Sequence, residues 1–255
     1  MKTLFRYAMV AALPLALLSF LSTQLSAQVN QDQGGITRQQ ADEILKELRQ
    51  IRQLLERPTK PPAAQEEPAP TRAKLTDLSG VAMLGLKDAP ITIVEYTDYQ
   101  CPFCQRFHVT AFAELKKNYI DAGKVRFYSK DMPLDFHPNA MRAAQAARCA
   151  GEQGQFWALR DVMGANPGKL DMENILTFAT DLKMDAKKLR GCVESEKYKN
   201  AVQTDVLEAM RIGANGTPTF LVGKSTGEGV DGELMVGAMP YQMFDQKLKE
   251  LQTAK

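Results

Sequence analysis

The residues with the clearest chemical potential are four cysteines, Cys101, Cys104, Cys149 and Cys192, and the first two are separated only by Pro102 and Phe103. Two thiols at this spacing can form and break a disulfide. If they open a helix, the first meets unpaired backbone N–H groups and the positive end of the helix dipole, which favour thiolate over thiol. Pro102 fits a first helical turn, where a missing N–H removes no helical hydrogen bond. The expected division of labour leaves Cys101 at an exposed edge as the reactive thiol. Cys104, one turn inward, resolves the mixed disulfide. The same pair could also be half of a zinc site, which would need two more ligands. Cys149 and Cys192 each stand alone, and neither His108 nor His137 belongs to a His pair of ligand spacing, so no metal is expected. His108 reads as a solvated helix residue and His137 as a structural residue at a helix entry. Pairing Cys101 with Cys104 leaves Cys149 with Cys192, a bridge closing a loop of about 40 residues and adding about 3–4 kcal/mol on the chain-entropy model. A structural bridge is the default reading, and a regulatory pair is the alternative.

The elements that must position these thiols follow from the surrounding pattern. Ile91-Thr92-Ile93-Val94-Glu95-Tyr96 is β-branched and reads as a buried strand. After a short turn containing Asp98 come the cysteines. Phe107, Ala111, Phe112, Leu115 and Tyr119 then mark one face of a helix that Gly123 would end, and Lys124 to Ser129 reads as the next strand. The order strand, CxxC, helix, strand is a βαβ start. From about 138 to 211 the pattern is helical, an inserted subdomain with Phe156 and Trp157 as core aromatics. Strand character returns at Thr219-Phe220-Leu221-Val222 and at Glu233 to Val236, as in a hairpin. A closing helix starts at Pro240 and carries Phe244, Leu248 and Leu251 on one side.

Upstream, Lys2 and Arg6, an apolar run from Ala8 to Leu21 and Leu25-Ser26-Ala27 have the form of a cleavable export signal over residues 1–27. An exported protein can keep its disulfides, so a soluble periplasmic or otherwise extracytoplasmic location is expected. Residues 28–57 contain an amphipathic helix. Thr37 and Gln40 have capping-box spacing, and Ala41, Ile44, Leu48, Ile51 and Leu55 form a short heptad seam. Self-association through residues 37–57 is the preferred reading, against a lone helix docked on its own domain or on a membrane surface. Residues 58–74 are proline-rich and read as a semi-rigid spacer, with a catalytic domain over 75–255. In a chain of 255 residues, 32 Lys and Arg nearly balance 30 Asp and Glu, giving a net charge of +2. That is too weak a field to attract nucleic acid, and no nucleic-acid partner is expected.

The strand with Glu95, the Cys101-Pro102-Phe103-Cys104 site, the helical insertion and Gly216-Thr217-Pro218-Thr219-Phe220 together resemble, in order, the DsbA-like thioredoxin-fold thiol-disulfide oxidoreductases. The resemblance covers about residues 75 to 252. It implies an α/β thioredoxin fold with an inserted helical subdomain, here preceded by a stalk helix. It also implies that Pro218 is a cis-proline facing the cysteines and that Thr217 lends backbone hydrogen bonds to a substrate strand. Glu95 becomes the buried acid that exchanges protons with the inner cysteine, its carboxyl desolvated by the apolar strand; the alternative is a structural acid paired with a lysine.

The sequence departs from strongly oxidising relatives at Phe103, where a histidine often helps hold the thiolate. Helix-end N–H groups alone would then favour the Cys101 thiolate, which leaves the oxidising strength open. The function expected first is an oxidase of reduced exported proteins, reset by a membrane redox partner and needing no cofactor beyond its Cys101/Cys104 disulfide. Second comes an oligomeric isomerase or reductase acting on misfolded exported proteins. A Cu(I)-binding or chaperone module is third.

Overall fold

The computed structural model describes residues 36–55 and 72–253. The expected export signal and most of the expected proline-rich spacer lie outside the described residues. Two compact units result, divided between Ala64 and Gln65.

The first unit contributes one helix, α1 (Arg38–Leu55). The Thr37 N–H donates to Gln40 Oε1 (3.0 Å) and the Gln40 N–H to Thr37 Oγ1 (3.3 Å), a reciprocal capping box that satisfies two donors the helix start leaves free. Ile44, Leu48 and Ile51, the middle of the heptad seam, are 47%, 55% and 50% exposed.

The second unit is built on a six-stranded sheet in the order β1-β6-β5-β3-β4-β2. The strands are β1 (Arg72–Leu75), β2 (Ala82–Leu84), β3 (Ile91–Thr97), β4 (Val125–Asp131), β5 (Thr219–Thr226) and β6 (Gly229–Val236). Only β3 and β4 run parallel, with Ile91 opposite Val125 and Glu95 opposite Ser129. Every residue of β3 is buried, as expected of a central strand covered on both faces. The period of two sorts its side chains. Ile91 and Ile93 join Phe107, Phe112, Leu115, Phe220, Phe244 and Leu248 in one core. Val94 and Tyr96 join Leu75, Tyr128, Leu221 and Val230 in the other. Glu95 shares the parity of Ile91 and Ile93, and so faces the side that carries α2 (Pro102–Leu115) and the closing helix α8 (Tyr241–Thr253). Phe107, Ala111, Phe112, Leu115 and Tyr119 are all buried. The helix widens into a π turn at Lys116–Ile120 before Gly123, at φ +70°, ends it.

Two features at the sheet margins were not read from the sequence. Residues 72–74, assigned to the spacer, belong to strand β1, which pairs antiparallel with β6 so that Arg72 lies opposite Glu233. Arg72 also reaches Asp231 (2.7 Å) and Glu233 (3.3 Å), so the polar composition that suggested a linker serves an edge strand. The second is β2, a three-residue edge strand antiparallel to β4. The β5–β6 hairpin is longer than the apolar stretches suggested and places Gly223 opposite Gly232. A β-carbon at Gly223 would lie 2.0 Å from the Asp231 carbonyl oxygen, so the close approach requires glycine there.

Between β4 and β5 lies the helical insertion: α3 (Ala140–Gly151), α4 (Phe156–Ala165), α5 (Met172–Asp181), α6 (Ala186–Glu194) and α7 (Lys199–Arg211). It has its own core of Ala143, Ala147, Leu159, Met163, Ile175, Leu189 and Val202. Two of its helices are also tied to β4 by ions. Lys130 pairs with Asp205 (3.0 Å) and with Glu208, and Arg148 pairs with Asp131 and Asp205.

Candidate active site

The cysteines lie where β3 hands over to α2. Cys101 is the N-cap of α2 in an extended conformation and Pro102 opens the helix. Asp98 fixes the approach turn. Its carboxylate accepts from the Gln100 N–H (2.7 Å), from the Leu134 N–H (2.9 Å) and lies 2.7 Å from His137 Nδ1. His137 is therefore structural, as expected, and its partner is the residue that shapes the cysteine loop. The cis Thr217–Pro218 peptide, ahead of β5, closes over the site, and the Thr217 carbonyl oxygen is 3.5 Å from Cys101 Sγ.

Both thiols are free and buried. Cys101 was expected at an exposed edge, but the covering Thr217 segment leaves it only 3% exposed, and the exposed apolar group is Phe103 at 53%. Cys101 is pushed down to about 5. The largest cause is the hydrogen bond from the Cys104 thiol, opposed by burial and then assisted by Thr217 and by the N–H groups of Cys104 and Phe103. The expectation that helix-end N–H groups act alone is thereby corrected: the neighbouring thiol contributes more. Thr217 Oγ1 is buried with no other hydrogen-bond partner, so its hydroxyl is free to face the sulfur. Cys104 is driven the opposite way, well above an ordinary thiol, first by burial and then by Cys101 and Glu95. Asp98 N–H lies 3.4 Å from its sulfur. One thiol is thus arranged to be a thiolate and the other to hold its proton, the asymmetry a nucleophile and a resolving group need.

Glu95 is 1% exposed, and its partner is neither an apolar wall nor a lysine. The Arg160 guanidinium, from α4 in the insertion, donates to Glu95 Oε2. Arg160 itself is 3% exposed and also reaches Ser129 Oγ (3.3 Å), His108 Nδ1 (3.3 Å) and Asp161 Oδ1 (3.4 Å). Its guanidinium sits over the rings of Phe112 (4.8 Å) and Trp157 (5.2 Å). A buried ion pair of this kind persists only when the remaining guanidinium nitrogens find partners, and here Nε and Nη1 both do. His108 is accordingly not a solvated residue; its side chain is 14% exposed and its ring lies 5.7 Å from that of Phe112. Glu95, Asp98, Tyr99, Cys104, His108 and Arg160 all line one small cleft behind the cysteines.

Arg160 and Tyr99 carry no motif in the sequence, and Asp98 reads there only as a turn residue. Arg160 left a signal there: it interrupts the stripe Phe156, Leu159, Met163 on the buried side of α4, where a charge needs a partner. Cys149 and Cys192 are joined, bridging α3 and α6 across 43 residues.

Comparison with known proteins gives concordant matches. A thioredoxin family model fits residues 78–233. Among curated proteins, a probable disulfide bond formation protein D of Bacillus anthracis is 30% identical over 148 residues, which cover 54% of this chain and 68% of that protein. A Na(+)/H(+) antiporter NhaA 3 of Salinispora tropica is 34% identical over 139 residues, 54% of this chain but 21% of the antiporter. The chain therefore spans about a fifth of the length of the first curated relatives it matches. Among solved structures, BdbD of Bacillus subtilis in its oxidised form superposes with a TM-score of 0.64 at 21% identity, covering 72% of this chain and 99% of that one. Wolbachia pipientis alpha-DsbA1 gives 0.63 at 21% identity, covering 69% and 93%.

Proposed function

This chain belongs to the thioredoxin family in its DsbA-like form, and from that premise we propose that it is an exported thiol-disulfide oxidoreductase working mainly as an oxidase. The observation that carries the direction is Cys101, held down to about 5. A thiolate favoured in this way stabilises the reduced enzyme relative to its disulfide, and so makes the disulfide a better electron acceptor. In the reaction, a client thiolate attacks Cys101 Sγ and the Cys101–Cys104 bond breaks, with the electron pair leaving on Cys104, which takes up a proton. A second client thiolate then attacks the client sulfur of the mixed disulfide, forming the client disulfide and releasing Cys101 as thiolate. The enzyme leaves with two electrons, so a membrane redox partner must remove them. The Cys101/Cys104 pair is itself the electron carrier. Glu95 is the group that exchanges a proton with Cys104, and Thr217 and Pro218 present the client strand to Cys101.

The test is the Cys101/Cys104 reduction potential against glutathione, together with Cys101→Ser. A potential near the oxidising end, with activity toward reduced clients abolished by the substitution, supports the oxidase. A potential near that of thioredoxin sinks it. One observation favours the second reading, an oligomeric isomerase: the exposed seam of Ile44, Leu48 and Ile51 on α1 suits association with further copies. Sedimentation of the full chain against Leu48→Asp separates the two, since association through this seam predicts a loss of mass.

A further inference from the structure

The proposed chemistry requires the buried thiol of Cys104 to gain and lose a proton, yet Cys104 is 5% exposed and Glu95 1%. Among the titratable groups lining the cleft behind them, Glu95, Asp98, Tyr99, Cys104 and Arg160 are all buried, and only His108 reaches solvent. It follows Cys104 by four residues on α2, which places the two side chains on one face with Cβ atoms about 5–6 Å apart. We infer that His108 is the proton exit of the redox site, linking the Cys104–Glu95 pair to bulk water.

The ring is oriented for that task. Nδ1 faces inward, 3.3 Å from the Arg160 guanidinium, which can only donate. The neutral ring therefore carries its proton on Nε2, which faces outward, 3.9 Å from Asp161, a residue whose side chain is 53% exposed. The opposite helix makes room for the imidazole: a β-carbon at Gly164 would sit 3.3 Å from two atoms of the His108 ring. Burial, and then the positive charge of Arg160, lower the His108 pKa, so an imidazolium formed there is short-lived. The charged groups facing the ring are Arg160 and Asp161 of α4 and Glu95 of β3.

Cys104 gives its proton to the Glu95 carboxylate across the cleft, and its sulfur attacks Cys101 Sγ of a mixed disulfide. The Cys101–Cys104 bond forms, the bond from Cys101 to the outside sulfur breaks, and that sulfur departs as thiolate. Glu95 passes the proton to His108 Nδ1, which the Arg160 N–H releases as it turns fully to Asp161, while the Nε2 proton leaves to water. Rotation or exchange through the cleft returns the original tautomer, so His108 is unchanged over the cycle. A histidine with one nitrogen inside and one outside is suited to this shuttle.

This inference rests on the thiol-exchange reading, and the experiment separates the two. The reduced protein is mixed with an aromatic disulfide that releases a coloured thiolate. The first release reports Cys101 attacking, and the second reports Cys104 resolving the mixed disulfide. In His108→Gln, whose amide oxygen can still accept from Arg160, the first phase should be unchanged. The second should slow by about tenfold or more and lose the part of its pH dependence that falls below the ordinary imidazole range. In His108→Ala, added imidazole should restore the second phase, which a purely structural role would not allow. A second phase within about twofold of wild type across the pH range in His108→Gln would overturn the inference. Absence of a second release from the wild-type protein would instead overturn the thiol-exchange reading.

Discussion

Replacing Cys104 with alanine removes the largest influence that lowers Cys101, the hydrogen bond from the neighbouring thiol. In the intact reduced site Cys101 is pushed down to about 5 from the 9.0 of an ordinary thiol. At pH 6 that corresponds to about ten thiolates per thiol, where the ordinary group would have about one per thousand. The N–H groups of Cys104 and Phe103 belong to the backbone and survive the substitution. The midpoint in Cys104→Ala should therefore rise, by about one unit or more, yet stay below the ordinary value. Cys104→Ser keeps a donor at the same position and should fall between the two. The assay is the rate of iodoacetamide alkylation as a function of pH, read as a midpoint because thiolate nucleophilicity itself falls with pKa. A wild-type midpoint near that of a free cysteine would refute the reasoning. So would identical midpoints in the wild type and Cys104→Ala, since the neighbouring thiol would then contribute nothing.

Further outcomes follow from the same geometry. Because Cys101 is already ionised above about 5, reduction takes up one proton for two electrons between there and the Cys104 pKa. The potential should change by about 30 mV per pH unit in that range and steepen to about 59 mV below it, measured against a glutathione or dithiothreitol couple. By the same sign, the stability that ionised Cys101 lends the reduced protein is fully present above about 9 and is lost as the pH falls through about 5, which denaturant titrations of the reduced form would show. Arg160→Met leaves the Glu95 carboxylate buried without its counter-charge and should cost about 3–5 kcal/mol in urea unfolding, whereas Arg160→Met with Glu95→Gln should recover much of that loss. Removing the Cys149–Cys192 bridge, which closes a 43-residue separation, should cost about 3–4 kcal/mol and leave the Cys101 alkylation midpoint in place.

The parts of the fold set by local pattern were legible. The β-branched run at residues 91–96, the apolar face of α2 and the helical stretch from about 138 to 211 each carry their own period, and each appears as expected. Edge strands carry little of that signal. Arg72–Leu75 is held by register with β6 and by ion pairs to Asp231 and Glu233, so its composition resembles a linker. At the site, the thiols and the Thr217–Pro218 pair are marked by residue type and spacing. The counter-ion of Glu95 is not, because it depends on which face of a distant helix meets β3. In place of a lysine the helix supplies Arg160, whose fork can serve Glu95, Ser129, His108 and Asp161 together. The depth of Cys101 is likewise not legible in its local sequence, since its cover comes from a segment 116 residues away.

That separation has a consequence for a chain that leaves its site of synthesis N-terminus first. Cys101, Pro102, Phe103 and Cys104 emerge together, so the neighbouring thiol and the helix-start N–H groups that lower Cys101 lie within one turn of helix, and only Thr217 joins them later. The groups that govern the pair arrive later: Arg160 follows Glu95 by 65 residues, and the Thr217 carbonyl follows Cys101 by 116. Reactivity in this molecule precedes restraint. Until the last third of the chain has folded back onto the sheet, the nascent enzyme presents an uncovered pair of reactive thiols, open to the same partners and mistakes as any unfinished client.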